Sequence, residues 1–359
     1  HPLYIITLLP SEYHMRTNKV LLIYTGGTIG MGRNPRTGAL EPLDFNNLLD
    51  ALPEFKQIAT GVDIHLFSSP IDSSNVTPDD WSEMARVISE HYNDYDGFVI
   101  LHGTDTMAYT ASALSFMFEN LTKPVILTGS QLPMGQLRTD GKENLITSLE
   151  LASEYGVDGH PMVPEVSIFF NGHLLRGNRS TKSSADEFHA FQTFNYPHLC
   201  DAGVDFVFHR HHILTPDYSR PVITHYKMDS RVMVFSLFPG IREDMVRHMM
   251  SLDNLRGLVM RTFGSGNAPQ APWLLDILAE ANRKGIIVVN VSQCEQGRVE
   301  MGRYETGYSL QEVGVISGYD STVEAASTKL MHLLAKYEDT ETVRMMMSCN
   351  LAGEITIKN

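Results

Sequence analysis

Along this chain, apolar runs of four to six residues alternate with stretches of helical periodicity. Runs this short, bounded by turn residues, read as strands buried on both faces. That pattern predicts a mostly parallel sheet covered by helices. In the first half the strands are expected at Val20–Tyr24, Ile64–Phe67, Phe98–Leu101, Val125–Thr128 and Val166–Phe170. Helices are expected at Pro78–His91, Met107–Phe118 and Glu143–Tyr155, with Pro78 placed for a first helical turn behind Thr77. Residues 209–230 break the pattern with His209-Arg210-His211-His212, Pro216 and Pro221. Three histidines in four residues raise the question of a metal. No second histidine pair or carboxylate cluster accompanies them, so the stretch reads as a solvated linker. Strands at Val232–Leu237, Gly257–Arg261 and Ile286–Val291 then alternate with helices at Ile241–Met250, Pro272–Ala281 and Thr322–Tyr337. The expectation is a two-domain α/β protein. A larger N-terminal domain spans 15–208, a linker 209–230 and a smaller C-terminal α/β domain 231–359. Residues 1–14 read as a leader or extension ahead of Met15.

Composition narrows the function. The formal net charge of −14 repels phosphate backbones, so nucleic acid is not an expected partner. No apolar run approaches the roughly 20 residues of a membrane helix, so no membrane partner is expected. Cys200, Cys294 and Cys349 are too few and too odd in number for a disulfide framework. They fit a reducing compartment, and a cytoplasmic location is expected.

In open α/β sheets, ligands bind beyond the carboxyl ends of strands. Three such ends carry unusual residues. Thr25-Gly26-Gly27-Thr28-Ile29-Gly30 follows the first strand. Its glycines allow a tight turn whose N–H groups can face an anion or an oxyanion. It lacks the Gly-Lys-Ser/Thr of a phosphate loop. His102-Gly103-Thr104-Asp105-Thr106-Met107 follows Phe98–Leu101. Thr104 or Asp105 could cap a helix there, and an acid at that place can also bind an α-ammonium. Arg176-Gly177-Asn178-Arg179-Ser180-Thr181-Lys182 follows Val166–Phe170. Lys182 is an ordinary surface lysine unless the chain folds it back onto Thr104 and Asp105, where it could act as a base.

At these residues the chain resembles the bacterial-type L-asparaginases. Thr-Gly-Gly-Thr-Ile-Gly at 25–30 and His-Gly-Thr-Asp-Thr-Met at 102–107 look like the two signatures of that family, in order. Thr128-Gly129-Ser130-Gln131-Leu132-Pro133, Gly177-Asn178-Arg179, Gly266-Asn267-Ala268-Pro269-Gln270 and Val315-Ile316-Ser317-Gly318-Tyr319-Asp320 extend the likeness. It runs from about Lys19 to the C-terminus and looks closest to the type I, cytosolic branch.

The resemblance implies hydrolysis of L-asparagine to L-aspartate and ammonia, without metal or cofactor, by a homodimer or homotetramer. Thr28 matches the family's nucleophile, and Thr104, Asp105 and Lys182 match its second catalytic group. Asp72, Ser73 and Ser74 match the segment that grips the substrate's α-carboxylate and α-amino group. Minor glutaminase activity is compatible, because one methylene discriminates by only roughly 10–200-fold. One position departs: Ala39 stands where many relatives carry a tyrosine that activates the nucleophile. Tyr304, in Gly302-Arg303-Tyr304-Glu305, resembles a tyrosine that some type I relatives use instead. Thr181, Arg261 and Cys294 match a regulatory asparagine site of type I relatives. Two other functions share parts of this pattern. One is the amidase component of a tRNA-dependent amidotransferase, which carries an extra N-terminal domain and binds RNA. The other is a non-catalytic asparagine sensor, which has no need of Thr28, Thr104, Asp105 and Lys182 together.

Overall fold

The computed structural model describes residues 18–42, 54 and 61–358, so the expected leader 1–14 lies outside the described residues. The described residues up to 208 supply thirteen strands. They begin with β1 (Lys19–Gly26), β2 (Met31–Arg33), β3 (Leu40–Pro42), β4 (Gly61–Ile71), β5 (Gly97–Leu101) and β6 (Phe118–Glu119). Then come β7 (Val125–Thr128), β8 (Val166–Phe170), β9 (His173–Arg176), β10 (Thr181–Lys182), β11 (Phe191–Gln192), β12 (Cys200–Ala202) and β13 (Phe206–Phe208). Eight of them form one sheet in the order β13-β12-β9-β8-β7-β5-β1-β4. From β4 to β8 neighbouring strands run parallel, whereas β9, β12 and β13 add an antiparallel end.

Strand side chains alternate between faces, and the core divides accordingly. Leu21 and Ile23 of β1 join Phe98 and Ile100 of β5 on one face, under α1 (Pro78–Glu90) and α2 (Met107–Met117). Val20 and Leu22 join Val99 and Leu101 on the other, under α3 (Gly141–Ser153). Burial on both faces is why these strands read as continuous apolar runs. Pro78 opens α1 as expected, and the Thr77 N–H donates to Asp80 Oδ2 at 2.7 Å.

The antiparallel end has a local cause. Asn171 and Gly172 both take positive φ between β8 and β9, so the chain reverses there in two residues instead of crossing over through a helix. In the 209–230 stretch, β14 (Ile223–Thr224) pairs with β6, and the His225 N–H donates to Met117 O at 2.7 Å.

The second sheet is wholly parallel, in the order β15 (Val232–Ser236), β16 (Gly257–Thr262), β17 (Ile287–Ser292), β18 (Ile316–Ser317). On one face Leu258, Met260 and Val288 pack beneath α4 (Glu243–Met250), α5 (Pro272–Arg283) and α6 (Glu305–Glu312). On the other, Val259, Ile287 and Val289 pack beneath α7 (Val323–Lys336) and α8 (Thr340–Met347). Buried Arg179 bridges the two halves by donating to Asp320 at 2.9 Å and to Gly353 O at 2.7 Å.

Candidate active site

The carboxyl ends of β4, β1 and β5 lie side by side, and glycines let their turns touch. Gly26 runs against Ile71, where a Cβ would stand 2.2 Å from the Ile71 carbonyl oxygen. Gly27, at φ 93°, runs against Gly103, where a Cβ would stand 2.6 Å from the Gly103 nitrogen. Gly103 in turn leaves room for Ser73, whose Oγ a Cβ there would meet at 2.5 Å. No residue with a side chain permits these approaches. They bring the turn of Thr28, the turn of Thr104 and the segment Asp72–Ser74 into one cluster. The Thr106 hydroxyl closes it by donating to Ser73 O at 2.6 Å.

Thr28 opens a 3₁₀ turn, Thr28–Gly30, at the end of β1 and is half-buried. Its hydroxyl has no hydrogen-bond partner among the described residues. Thr25, three residues earlier, is spent structurally: its hydroxyl donates to Leu101 O at 2.7 Å.

The helix after β5 begins at Met107 with Thr106 at its N-cap. Thr104 and Asp105 therefore do not cap it and are free for other work. Lys182 Nζ donates to Thr104 Oγ1 at 2.9 Å and to Asp105 Oδ1 at 2.7 Å. The lysine is brought there by the Gly177–Arg179 turn, which packs so closely on α2 that a Cβ at Gly177 would stand 2.8 Å from that of Ala111. The Thr104 hydroxyl donates to Gln131 Oε1 at 3.2 Å. Gln131 is itself held by donating through Nε2 to Glu187 O at 3.0 Å, while its N–H donates to Asp140. Gln131 lies in the Thr128–Pro133 run at the end of β7, but nothing in the sequence pointed to its contact with Thr104 or to Asp140, which precedes α3.

Below Thr104, His102 is fully buried, and that burial pushes its imidazole down to about 4. The neutral ring donates from Nδ1 to Gly103 O at 2.6 Å. Its Nε2 accepts the Thr110 hydroxyl at 2.8 Å, and Trp81 Nε1 donates to the same hydroxyl at 3.0 Å. The Gly103 peptide is thus fixed from beneath. Asp72 is exposed and turns back on its own loop. The Ser74 N–H and hydroxyl hold its carboxyl below the usual carboxylate range.

Two sequence expectations fall elsewhere in the chain. Ala39 lies in the turn joining β2 and β3, where its carbonyl accepts the Asn34 N–H at 2.8 Å. The chain from Met31 to Pro42 is therefore a β-hairpin. Tyr304 caps α6 at 49% exposure with the Arg303 guanidinium over its ring. Among the described residues no hydrogen bond joins it to Thr28, Thr104 or Lys182.

Thr181, Arg261 and Cys294 line a single cavity with Arg179, Asn195 and Glu324. Thr181 donates to Glu324 Oε1 at 2.6 Å, while Glu324 Oε2 and Arg261 Nε have no hydrogen-bond partner among the described residues. Burial raises the Glu324 carboxyl above its usual range, against the Thr181 hydrogen bond.

Comparison with known proteins extends over both sheets. The model of the asparaginase N-terminal domain matches residues 19–214, and that of the glutaminase/asparaginase C-terminal domain matches 231–347. L-asparaginase 1 of Escherichia coli (strain K12) is 46% identical over 346 residues, covering 95% of this chain and 99% of that one. The crystal structure of L-asparaginase I from Vibrio cholerae superposes with a TM-score of 0.87 at 43% identity, over 95% of this chain and all of that one. The thermostable L-asparaginase from Thermococcus kodakarensis superposes with a TM-score of 0.86 at 33% identity, again over 95% of this chain and all of that one.

Proposed function

The chain belongs to the asparaginase family, and on that footing we propose that it hydrolyses L-asparagine to L-aspartate and ammonia with Thr28 as nucleophile. The observation that carries the site assignment is Lys182 Nζ, shared between Thr104 Oγ1 and Asp105 Oδ1 beside the turn that holds Thr28. A capping or surface role would not need all three to converge.

The reaction runs in two halves. Thr28 Oγ attacks the side-chain amide carbon, and N–H groups of the touching Gly27 and Gly103 turns receive the developing oxyanion. The C–N bond breaks, the threonine proton leaves with the nitrogen as ammonia, and an aspartyl ester remains on Thr28. Thr104 and Lys182 then orient and deprotonate a water, which cleaves the ester and returns the proton to Thr28. Asp105 and the Asp72–Ser74 segment hold the α-ammonium and α-carboxylate. Leaving those charges unmet is costly, so the amino-acid head is required.

The proton acceptor for Thr28 is assigned to Tyr304 of a neighbouring protomer in a homodimer or homotetramer. Its large exposure and the lack of a partner for Thr28 within the described chain support this. Tyr304→Phe is expected to lower kcat, and near-normal turnover would remove the assignment. The Thr181–Arg261–Cys294 cavity is assigned to a second, regulatory asparagine. Unpartnered Arg261 Nε suits a carboxylate, and Thr181 adjoins Lys182 in β10. The rate should rise sigmoidally with asparagine and become hyperbolic in Arg261→Ala. A hyperbolic curve in the intact protein would end this reading. A cytoplasmic location accords with three free cysteines. No helix among the described residues is long and apolar enough to cross a membrane.

Ammonia release from asparagine and glutamine by the purified protein is the decisive assay. Release from asparagine, faster than from glutamine and abolished in Thr28→Ala, is the expected result. Binding of asparagine without release would identify a sensor instead.

A further inference from the structure

At the antiparallel end of the large sheet, four side chains from three segments meet. His173 opens β9, and Asp201 on β12 is its cross-strand partner. His198 precedes Asp201 by three residues, and His209 follows β13. Asp201 Oδ1 accepts from His173 Nδ1 at 2.7 Å and from His198 Nδ1 at 2.8 Å. Asp201 Oδ2 accepts from His209 Nε2 at 2.8 Å. The His173 and His198 rings stand only 4.3 Å apart between centroids.

We propose that His173 Nδ1, His198 Nδ1 and Asp201 bind a divalent zinc-class ion, with His209 positioning the carboxylate. The three ligand atoms already lie within 4.8 Å of one another, a closeness that no other set of His, Cys, Asp or Glu side chains reaches among the described residues. Ligands about 2.0–2.1 Å from a tetrahedral ion sit roughly 3.4 Å apart. Asp201 Oδ1 stands closer than that to both ring nitrogens, at 2.7 and 2.8 Å, so loss of the shared protons and small outward side-chain rotations admit the ion. Two imidazoles and one carboxylate favour zinc and its late first-row neighbours over calcium or magnesium, which prefer oxygen alone. His209 on the far carboxylate oxygen is the outer hydrogen bond that orients a ligating carboxylate. Side-chain exposures of 34% to 40% leave the site open to solvent, so water can complete the coordination. The ion would clamp β9 to β12 at a place the proposed hydrolysis does not use. The inference is independent of that reaction. It also gives His209 the carboxylate partner that its own stretch of sequence lacks.

The test is calorimetric titration of Zn²⁺ into tag-free, chelator-stripped full chain at pH 7.5, with thermal denaturation alongside. One saturable ion per chain is expected, with a rise in Tm that EDTA reverses. His198→Ala and Asp201→Asn should lose saturable binding while keeping the parent's circular dichroism. His209→Ala should weaken binding by about 10–100-fold. His211→Ala, an exposed neighbour outside the cluster, should bind as the parent does. The proposal is overturned if the intact protein shows no saturable binding, or if Asp201→Asn, the isosteric change, binds Zn²⁺ as tightly as the parent.

Discussion

Lys182 Nζ donates at short range to both Thr104 Oγ1 and Asp105 Oδ1, and these two contacts nearly fix where it can stand. It is 18% exposed in its side chain, while Asp105 beside it is 64% exposed. The ion pair is thus wet on the Asp105 side and adds little to stability. Its value lies in position. Lys182→Met keeps the stem and removes the amine, and it should cut the rate of ammonia release by about 10²–10⁴-fold with an unchanged Tm. Lys182→Arg should not restore it, because a planar guanidinium cannot place a single donor on both Thr104 and Asp105. Thr28, Thr104, Asp105 and Lys182 were all legible in the sequence because each sits in a short run at a strand end. The hydrogen bonds that tie Gln131 to Thr104 and to Asp140 were not, because they depend on how the turn after β7 meets the turn after β5, and no local spacing encodes that.

At the scale of elements, the site depends on how closely backbone turns approach. Gly27→Ala places a methyl 2.6 Å from the Gly103 backbone at a φ that side chains resist. The two turns must part, at a cost of about 1–3 kcal/mol, and Thr28 moves with them. Gly38→Ala has a positive φ of 71° too, but nothing lies within 4 Å of the added methyl. That change should cost only about 1–2 kcal/mol of local strain and leave the rate intact. Measuring Tm and ammonia release on the pair separates crowding from strain. Loss of activity in Gly38→Ala but not in Gly27→Ala would contradict the picture. The parallel strands were readable because burial on both faces writes them as apolar runs, and β7 and β8 match their expected bounds. The antiparallel strands β12 and β13 were not readable. They are three residues each, partly exposed, and take their register from β9, so their sequences carry no period.

Across the whole molecule, two buried histidines set an acid limit on stability. Burial lowers His102 to about 4 and His332 to about 3. His102 lies against the first sheet, and His332 on α7 stacks near Phe116 with no hydrogen-bond partner for its Nδ1 among the described residues. In the unfolded chain both titrate near 6.5. Below that pH the unfolded state takes up protons that the folded state refuses, so stability falls as pH falls. The loss runs from about 6.5 down to the folded values and is absent above 6.5. Each histidine contributes on the order of 1 kcal/mol per pH unit in that window. Carboxylates held low in the fold, such as Asp229 at about 2, withdraw their support only at lower pH. Denaturant midpoints compared at pH 7.5, 6.5 and 5 therefore cover the window where the histidines act, against carboxyls raised by burial such as Glu324. The midpoint should fall from 6.5 to 5 and stay level from 7.5 to 6.5. His332→Leu removes one of the two groups without touching the Thr104 cluster, and it should roughly halve the slope. An unchanged slope in that variant would mean that the acid limit lies in groups other than this buried pair.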